Sequence, residues 1–369
     1  MSSTARTHTW TQPMPAIPTG LDLIDDLLGG GQYLRAVHGL LSFTGVGRSN
    51  LGVMLAAAGA VRQWNRREKG MSAAPWVFVT ACERPARVWA SALAFVAGAS
   101  KTVVDTCPIG VHGSELSAID IRPIKAVSSA QNERDMDVNS IGDRLNAAMP
   151  KLAAMMRVIS VDDAEFRRGH GPIEHLLDEL QTLNSSTTAR VAGIVIDDVG
   201  IQLGDFRVAC DIPLRAMSAL VSRFVQLCHS RLADPFDSSV WLLHNLAGSR
   251  VNLPLRRLSH RDAAETRHFG DHLDACIVLG GRDRTGCFSA RCTKSICRPQ
   301  NLEPRRLTFV DYPWSLVQAK VPTAVVQSRI EMPAATRGLL AQLPDTTASP
   351  ANRTVRKQLR PRKSHKRVP

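Results

Sequence analysis

No stretch of this 369-residue chain reaches the roughly 20 apolar residues that a membrane-spanning helix needs. Its opening, MSSTARTHTWTQPMP, has no apolar core behind a basic start, so it does not read as a secretory signal. A cytoplasmic protein that enters no membrane is the expectation. Aromatics are few, at 5% of residues, which argues against nucleic-acid recognition built mainly on base stacking. Eight cysteines are present but no C-x-x-C pair; Cys287, Cys292 and Cys297 are spaced more widely than zinc ligands usually are. Without a secretory start, the thiols are expected to be reduced and mostly buried. Acids are outnumbered, 33 against 46 bases, for a net charge of +13. Residues 353–369, RTVRKQLRPRKSHKRVP, carry eight of the bases and no acid, which leaves +5 (13 minus 8) for the remainder. This stretch follows the polar LPDTTASPAN and reads as a disordered, solvated tail. It suits a polyanion held through counterion release, or it only solubilises the chain.

What is present is an alternation. AVHGLLSF, PWVFVTA, MMRVISVDD, VAGIVIDDVG and SSVWLLHNLAG are short apolar runs rich in β-branched residues. Between them lie helical patterns such as SNLGVMLAAAGAVRQWNRRE, RPARVWASALAFVAG, PIEHLLDELQTLNS and LRAMSALVSRFVQLCHSRLA. DACIVLGG, CFSARCTKS and RRLTFVDYPWSLVQA supply later strands. Strands alternating with helices predict an α/β fold, a mainly parallel sheet covered by helices on both faces. The predicted organisation is an arm over 1–15, one domain over 16–330, and a linker with the basic tail over 331–369. Residues 103–150 mix short apolar patches with SSAQNERDMDVNS and read as a partly ordered insertion or long loop.

GLLSFTGVGRSNLG places a near phosphate-binding loop between a strand and a helix. In the pattern G-x-x-x-x-G-K-[ST], Ser42 takes the first glycine's place and Arg48 the lysine's. Thr44, Gly45, Val46, Gly47, Arg48, Ser49 and Asn50 are the predicted phosphate contacts, because glycines let a backbone wrap an anion at a helix N-terminus. Ser49 and Asp197, the acid ending GIVID, are placed to hold Mg2+. Arg48 can neutralise phosphate, but a planar fork is not a compact ammonium. The residue-level alternatives are a plain strand–helix turn for the glycines and a helix cap for Asp197.

These residues resemble RecA-like ATPases. IPTGLDLIDDLLGGG before the loop is similar to the opening of the DnaB, RepA and KaiC groups, and VFVTACERPARVWASAL resembles the hexameric replicative helicases more particularly. The resemblance spans about residues 16 to 300. It implies a RecA-like core that binds ATP and Mg2+. It also implies Glu83 as the carboxylate that activates water, and Asn245, beside His244, as a polar sensor. The segment GSRVNLPLRR resembles a DNA-facing loop, with Arg250, Asn252, Arg256 and Arg257 as contacts to single-stranded DNA. Lys294 and Arg298 match the basic motif that reaches a neighbour's nucleotide, although Ile296 stands where the family carries arginine. A hexameric ring homo-oligomer, acting as a DNA helicase with replication partner proteins, is the implied assembly. A catalytically weak DNA-binding scaffold, or a KaiC-like or recombination ATPase, remains open at this point.

Overall fold

The computed structural model describes residues 16–81, 83–124, 126, 138–161, 191–264, 266, 268–295, 303–311 and 314–319. The strands, in chain order, are β1 (Ala16–Ile17), β2 (Gln32–Tyr33), β3 (Ala36–Ser42), β4 (Trp76–Thr80), β5 (Ile109–His112), β6 (Glu115–Ile119), β7 (Met156–Ser160), β8 (Gly193–Ile196), β9 (Ser239–Asn245), β10 (Ala275–Leu279), β11 (Phe288–Ser295), β12 (Arg305–Val310) and β13 (Ser315–Gln318). The longer helices are α1 (Asp22–Leu28), α2 (Arg48–Glu68), α3 (Pro85–Ala97), α4 (Val138–Met155), α5 (Val199–Ala209) and α6 (Met217–Leu227).

Nine strands form one sheet in the order β13-β12-β11-β10-β3-β9-β8-β4-β7. From β10 to β7 every neighbouring pair is parallel, and β11, β12 and β13 extend the sheet antiparallel. The central strands are apolar throughout because both faces are covered: every residue of β3, β4, β8 and β10 is buried. Helices α2, α3 and α4 pack on one another, and α2 lies on β4 and β8. On the other face, the wide helical turn Cys228–Ala233 that follows α6 packs on β3 and β9. The approach of α2 to the sheet is close at Gly59, where an added Cβ would sit 2.2 Å from Trp76 Cε2. Only a residue without a side chain fits there.

One buried polar cluster fixes the base of β3. His38 is fully buried and stacks on Trp241 with ring centroids 4.8 Å apart. Its Nε2 accepts the Tyr33 backbone N–H at 3.1 Å, so the ring is neutral with its proton on Nδ1. Trp241 Nε1 donates to Gln32 Oε1 at 2.8 Å. Burial, before any other cause, pushes the His38 pKa down to about 3.

Residues 103–150 differ from expectation. The described part holds the β5–β6 hairpin and the 18-residue helix α4. Helix α4 buries Ile141, Leu145, Ala148 and Leu152, a stripe at helical spacing, although Pro150 lies inside it. The hairpin joins the β7 edge through Val158 N–H to Ser114 O at 2.9 Å and an Arg157–Glu115 ion pair at 3.1 Å. The compact unit containing the sheet runs to Lys320. The arm before residue 16, the helix expected from PIEHLLDELQTLNS, and the linker and basic tail from 331 lie outside the described residues. Among the described residues, no helix is long and apolar enough to cross a membrane.

Candidate functional site

The phosphate-loop segment leaves the C-terminal end of β3, next in the sheet to the end of β9. Ser42, in place of the usual glycine, is the last residue of β3 and is buried, paired in register with Asn245. It is not among the positive-φ residues, so the position does not demand a glycine. Gly45 and Gly47 do adopt left-handed backbone, at φ 82° and 104°. Gly47 caps α2, whose first N–H groups face out of the helix at the loop. Thr44 and Gly45 are exposed, and Ser49 and Asn50 are half-buried.

Arg48 turns inward. Its side chain is only 8% exposed. Nη1 donates to Asn245 Oδ1 at 2.6 Å and Nη2 to Asp198 Oδ1 at 2.6 Å, while Nε lies 3.5 Å from Asp197 Oδ1. One fork thus ties the loop's basic residue to the acids ending β8 and the polar residue ending β9. Asp198 is held at φ 54°, a left-handed conformation rare for a residue with a side chain. Asp197 is fully buried. Burial first, and the Asp198 charge second, push its pKa up, while Arg48 and the Ser49 hydroxyl oppose the rise. Its Oδ1 accepts the Asp198 N–H at 2.9 Å, whereas Oδ2 makes no hydrogen bond among the described residues.

That buried carboxylate oxygen, with the Ser49 hydroxyl nearby, fits Mg2+, a hard cation that takes one or two protein oxygens and completes its shell with phosphates and water. No group of three or more His, Cys, Asp or Glu side chains suited to a metal occurs among the described residues. A site sharing its ion with a substrate needs none.

Glu83 converges on the same place. It lines a cavity of about 250 Å³ with Ser49, Asn50, Arg87 and Lys101. Its N–H donates to Thr80 Oγ1 at 3.0 Å, which holds the turn after β4, and its carboxylate lies 3.8 Å from Arg87 Nη1. Arg87 and Lys101 were not singled out in the sequence. Arg87 lies one helical turn after Glu83, a spacing open to inspection, but nothing local marks Lys101.

Two further groups escaped the sequence reading because they come from distant strands. Arg282 donates from Nε and Nη2 to Val46 O, at 3.2 and 3.1 Å, and lies 5.9 Å from the Phe309 ring centroid. Phe309, on β12, packs against Gly47, where a Cβ would come within 2.5 Å of the ring. Below the turn that follows β12, Asp311 accepts Ser100 Oγ–H at 2.6 Å, and Trp314 N–H bonds Ala99 O at 3.0 Å. The β12–β13 hairpin is therefore tied to both the loop and the segment after α3.

The basic loop after β9 forms two short turns, Gly248–Arg250 and Leu255–Arg257. Arg250 pairs with Asp262 at 3.1 Å, and Asn252, Arg256 and Arg257 are exposed. Arg291 of β11 pins the loop from behind through Arg256 O at 3.2 Å and Leu258 O at 2.7 Å. His244 is buried, with Nε2 3.1 Å from Ala264 O. Lys294 is engaged elsewhere: Nζ donates to Gly270 O at 3.1 Å and Asp271 O at 2.7 Å. Arg298 and Ile296 lie outside the described residues.

The arrangement has counterparts among solved structures. The ATPase domain of a DnaB-like helicase aligns with a TM-score of 0.56 at 11% identity, over 83% of this chain and 92% of that one. The fold is RecA-like. The KaiC-like protein PH0186 from Pyrococcus horikoshii OT3 aligns at a TM-score of 0.47 and 12% identity, over 84% of this chain and 100% of that one. The sequence matches no protein-family model and no curated protein. In this RecA-like chain the phosphate loop, both acids and Asn245 stand at the C-terminal ends of parallel strands, where open α/β sheets hold ligands.

Proposed function

We propose that this RecA-like chain binds ATP with Mg2+ at the 44–50 loop and works as an ATPase on single-stranded DNA, assembled as a ring homo-oligomer. The observation that supports it is the meeting of Arg48, Asp197, Asp198 and Asn245 beside a cavity lined by Ser49 and Glu83. The loop N–H groups and the start of α2 take the phosphates. Ser49 and Asp197 hold the metal, which would neutralise charge on the phosphates. Glu83 accepts the proton of a water whose oxygen attacks the γ-phosphorus as the bond to the leaving diphosphate breaks. Arg250, Asn252, Arg256 and Arg257 hold the DNA backbone without reading sequence.

Arg48 supports a second reading of the same site. A fork engaged by two carboxylates and an amide must exchange those partners for phosphate, and the exchange competes with buried charge-assisted bonds. A DNA-binding assembly scaffold that turns nucleotide over slowly, and uses it as a switch, fits that geometry. The test is ATP hydrolysis with and without single-stranded DNA, in the wild type and in Glu83→Gln. Turnover that rises with DNA and falls by about 10²–10⁴-fold in the variant supports the motor. DNA binding with no turnover in either protein supports the scaffold. Absence of both nucleotide and DNA binding sinks both readings.

A further inference from the structure

A second cavity, of about 460 Å³, opens at the opposite end of the sheet from the phosphate loop. Its walls come from the starts of β4, β8 and β9 and from the last third of α2, with Arg62, Arg66, Ser72, Ala192 and Phe236 among its lining residues. Arg62 stands about 21 Å along α2 from Arg48, at roughly 1.5 Å per residue. The cavity therefore belongs to neither the nucleotide site nor the basic loop.

Its charge is unbalanced. The Nη1 of Arg62 is buried and has no hydrogen-bond partner, and among the described residues no carboxylate forms an ion pair with this guanidinium. The acids within range are committed elsewhere. Asp25 Oδ1 accepts the Thr19 N–H at 2.7 Å, and Asp237 is bonded to Arg35. Arg66, on the same wall, adds like charge, and its Nε donates to Ser72 O at 3.1 Å. Burial, then Arg66, lowers the Arg62 pKa, the expected mark of a cation without a counter-ion. The negative end of α2 explains Arg66 and Arg67 in the last turn, but the effect fades beyond that turn and does not reach Arg62. The rim is fixed by a bonded pair, Arg35 and Asp237, both in left-handed backbone at φ 55° and 52°.

A half-buried cation left without a partner costs stability, and natural chains keep such groups where a ligand supplies the missing charge. We propose that this cavity is a ligand site for a small organic anion, one carboxylate or phosphate on an apolar body, with Arg62 and Arg66 taking the anion and Phe236 and its apolar neighbours the body. Its volume lies within the ~300–1,000 Å³ of small-molecule pockets.

The test uses the full chain, melted with phenyl phosphate, hexanoate or inorganic phosphate. Three proteins are compared: wild type, Arg62→Met, which keeps the stem and removes the charge, and Ala192→Leu, which fills the cavity from another wall and keeps Arg62. A saturable rise in melting temperature is expected for the wild type with phenyl phosphate or hexanoate, at least tenfold tighter than with inorganic phosphate. Both variants should lose that rise, and ligand-free Arg62→Met should melt at or above the wild type. A response retained in either variant overturns the site, as does no saturable response of the wild type at millimolar ligand. If the wild type responds only to inorganic phosphate, the apolar half of the site is wrong and the proposal fails.

Discussion

Arg48 is the residue on which the reading of the site turns. A lysine at this position presents one ammonium on a flexible stem and cannot reproduce a fork that meets Asn245, Asp198 and Asp197 together. Arg48→Lys should therefore lower the ligand-free melting temperature by several degrees, since losing buried charge-assisted bonds costs about 1–3 kcal/mol and each such unit is worth roughly 2–4 °C in a domain this large. The same variant should raise ATP turnover, because the two acids are freed. Differential scanning calorimetry and a steady-state ATPase assay read both effects; an unchanged melting temperature would remove Arg48 from the buried network. His38 carries a prediction of opposite character, with no link to catalysis. Its ordinary pKa near 6.5 falls to about 3 in the folded chain. Between those values the unfolded chain binds a proton that the folded one refuses, so stability present above pH 6.5 is lost as pH falls toward 3. His38→Gln should melt lower at neutral pH, having lost the stack on Trp241, yet show a shallower decline between about pH 6.5 and 4. An identical slope in both proteins would assign acid sensitivity to other groups.

At the scale of elements, the β12–β13 hairpin acts on the loop through Phe309. Gly47→Ala adds a methyl to a residue at φ 104° and drives it into the Phe309 ring. It should cost about 1–3 kcal/mol from backbone strain alone, with the clash in addition. Adding Phe309→Ala should recover the clash and leave the strain, giving a non-zero coupling in a double-mutant cycle read by urea unfolding. Strictly additive effects would show that the hairpin does not press on the loop. None of this was legible in the sequence, and the reason is physical. The central strands could be read because burial on both faces leaves apolar runs, and α2 and α3 because their stripes begin next to glycine or proline. Helix α4 was missed because its stripe is interrupted by Pro150 and preceded by polar sequence. The β5–β6 hairpin is mostly half-exposed and leaves little apolar pattern. In the site, Ser49, Asp197 and Glu83 were legible because each ends or follows a recognisable strand. Arg282, Arg291 and Phe309 meet the site's loops only through sheet pairing, which no local pattern records. The inward turn of Arg48 depends on Asp198 and Asn245, 150 and 197 residues away.

For the molecule as a whole, charge separates into two populations that reach DNA differently. The RecA-like unit presents a small fixed set, the exposed Asn252, Arg256 and Arg257 on a loop pinned by Arg291, with Arg250 beside them in its pair with Asp262. Residues 353–369 add eight Lys or Arg with no acid among them. Each phosphate neutralised on a single strand contributes about −0.7 to the slope of log K against log salt. If both populations bind, removing residues 353–369 should flatten that slope by up to about 5 units, while Arg256→Gln with Arg257→Gln should flatten it by only about 1. The two losses should also differ in kind. The tail adds affinity whether or not nucleotide is present, whereas the loop shares β9 with Asn245 and through it meets Arg48. A nucleotide-dependent change in single-strand affinity should therefore survive removal of the tail and shrink in the double loop variant. Fluorescence anisotropy with a labelled oligonucleotide, titrated with salt in the presence and absence of ATP and Mg2+, measures both quantities. A nucleotide effect that vanishes with the tail and persists in the loop variant would place the working contact with DNA in the tail, and would leave the loop after β9 a solvated basic surface.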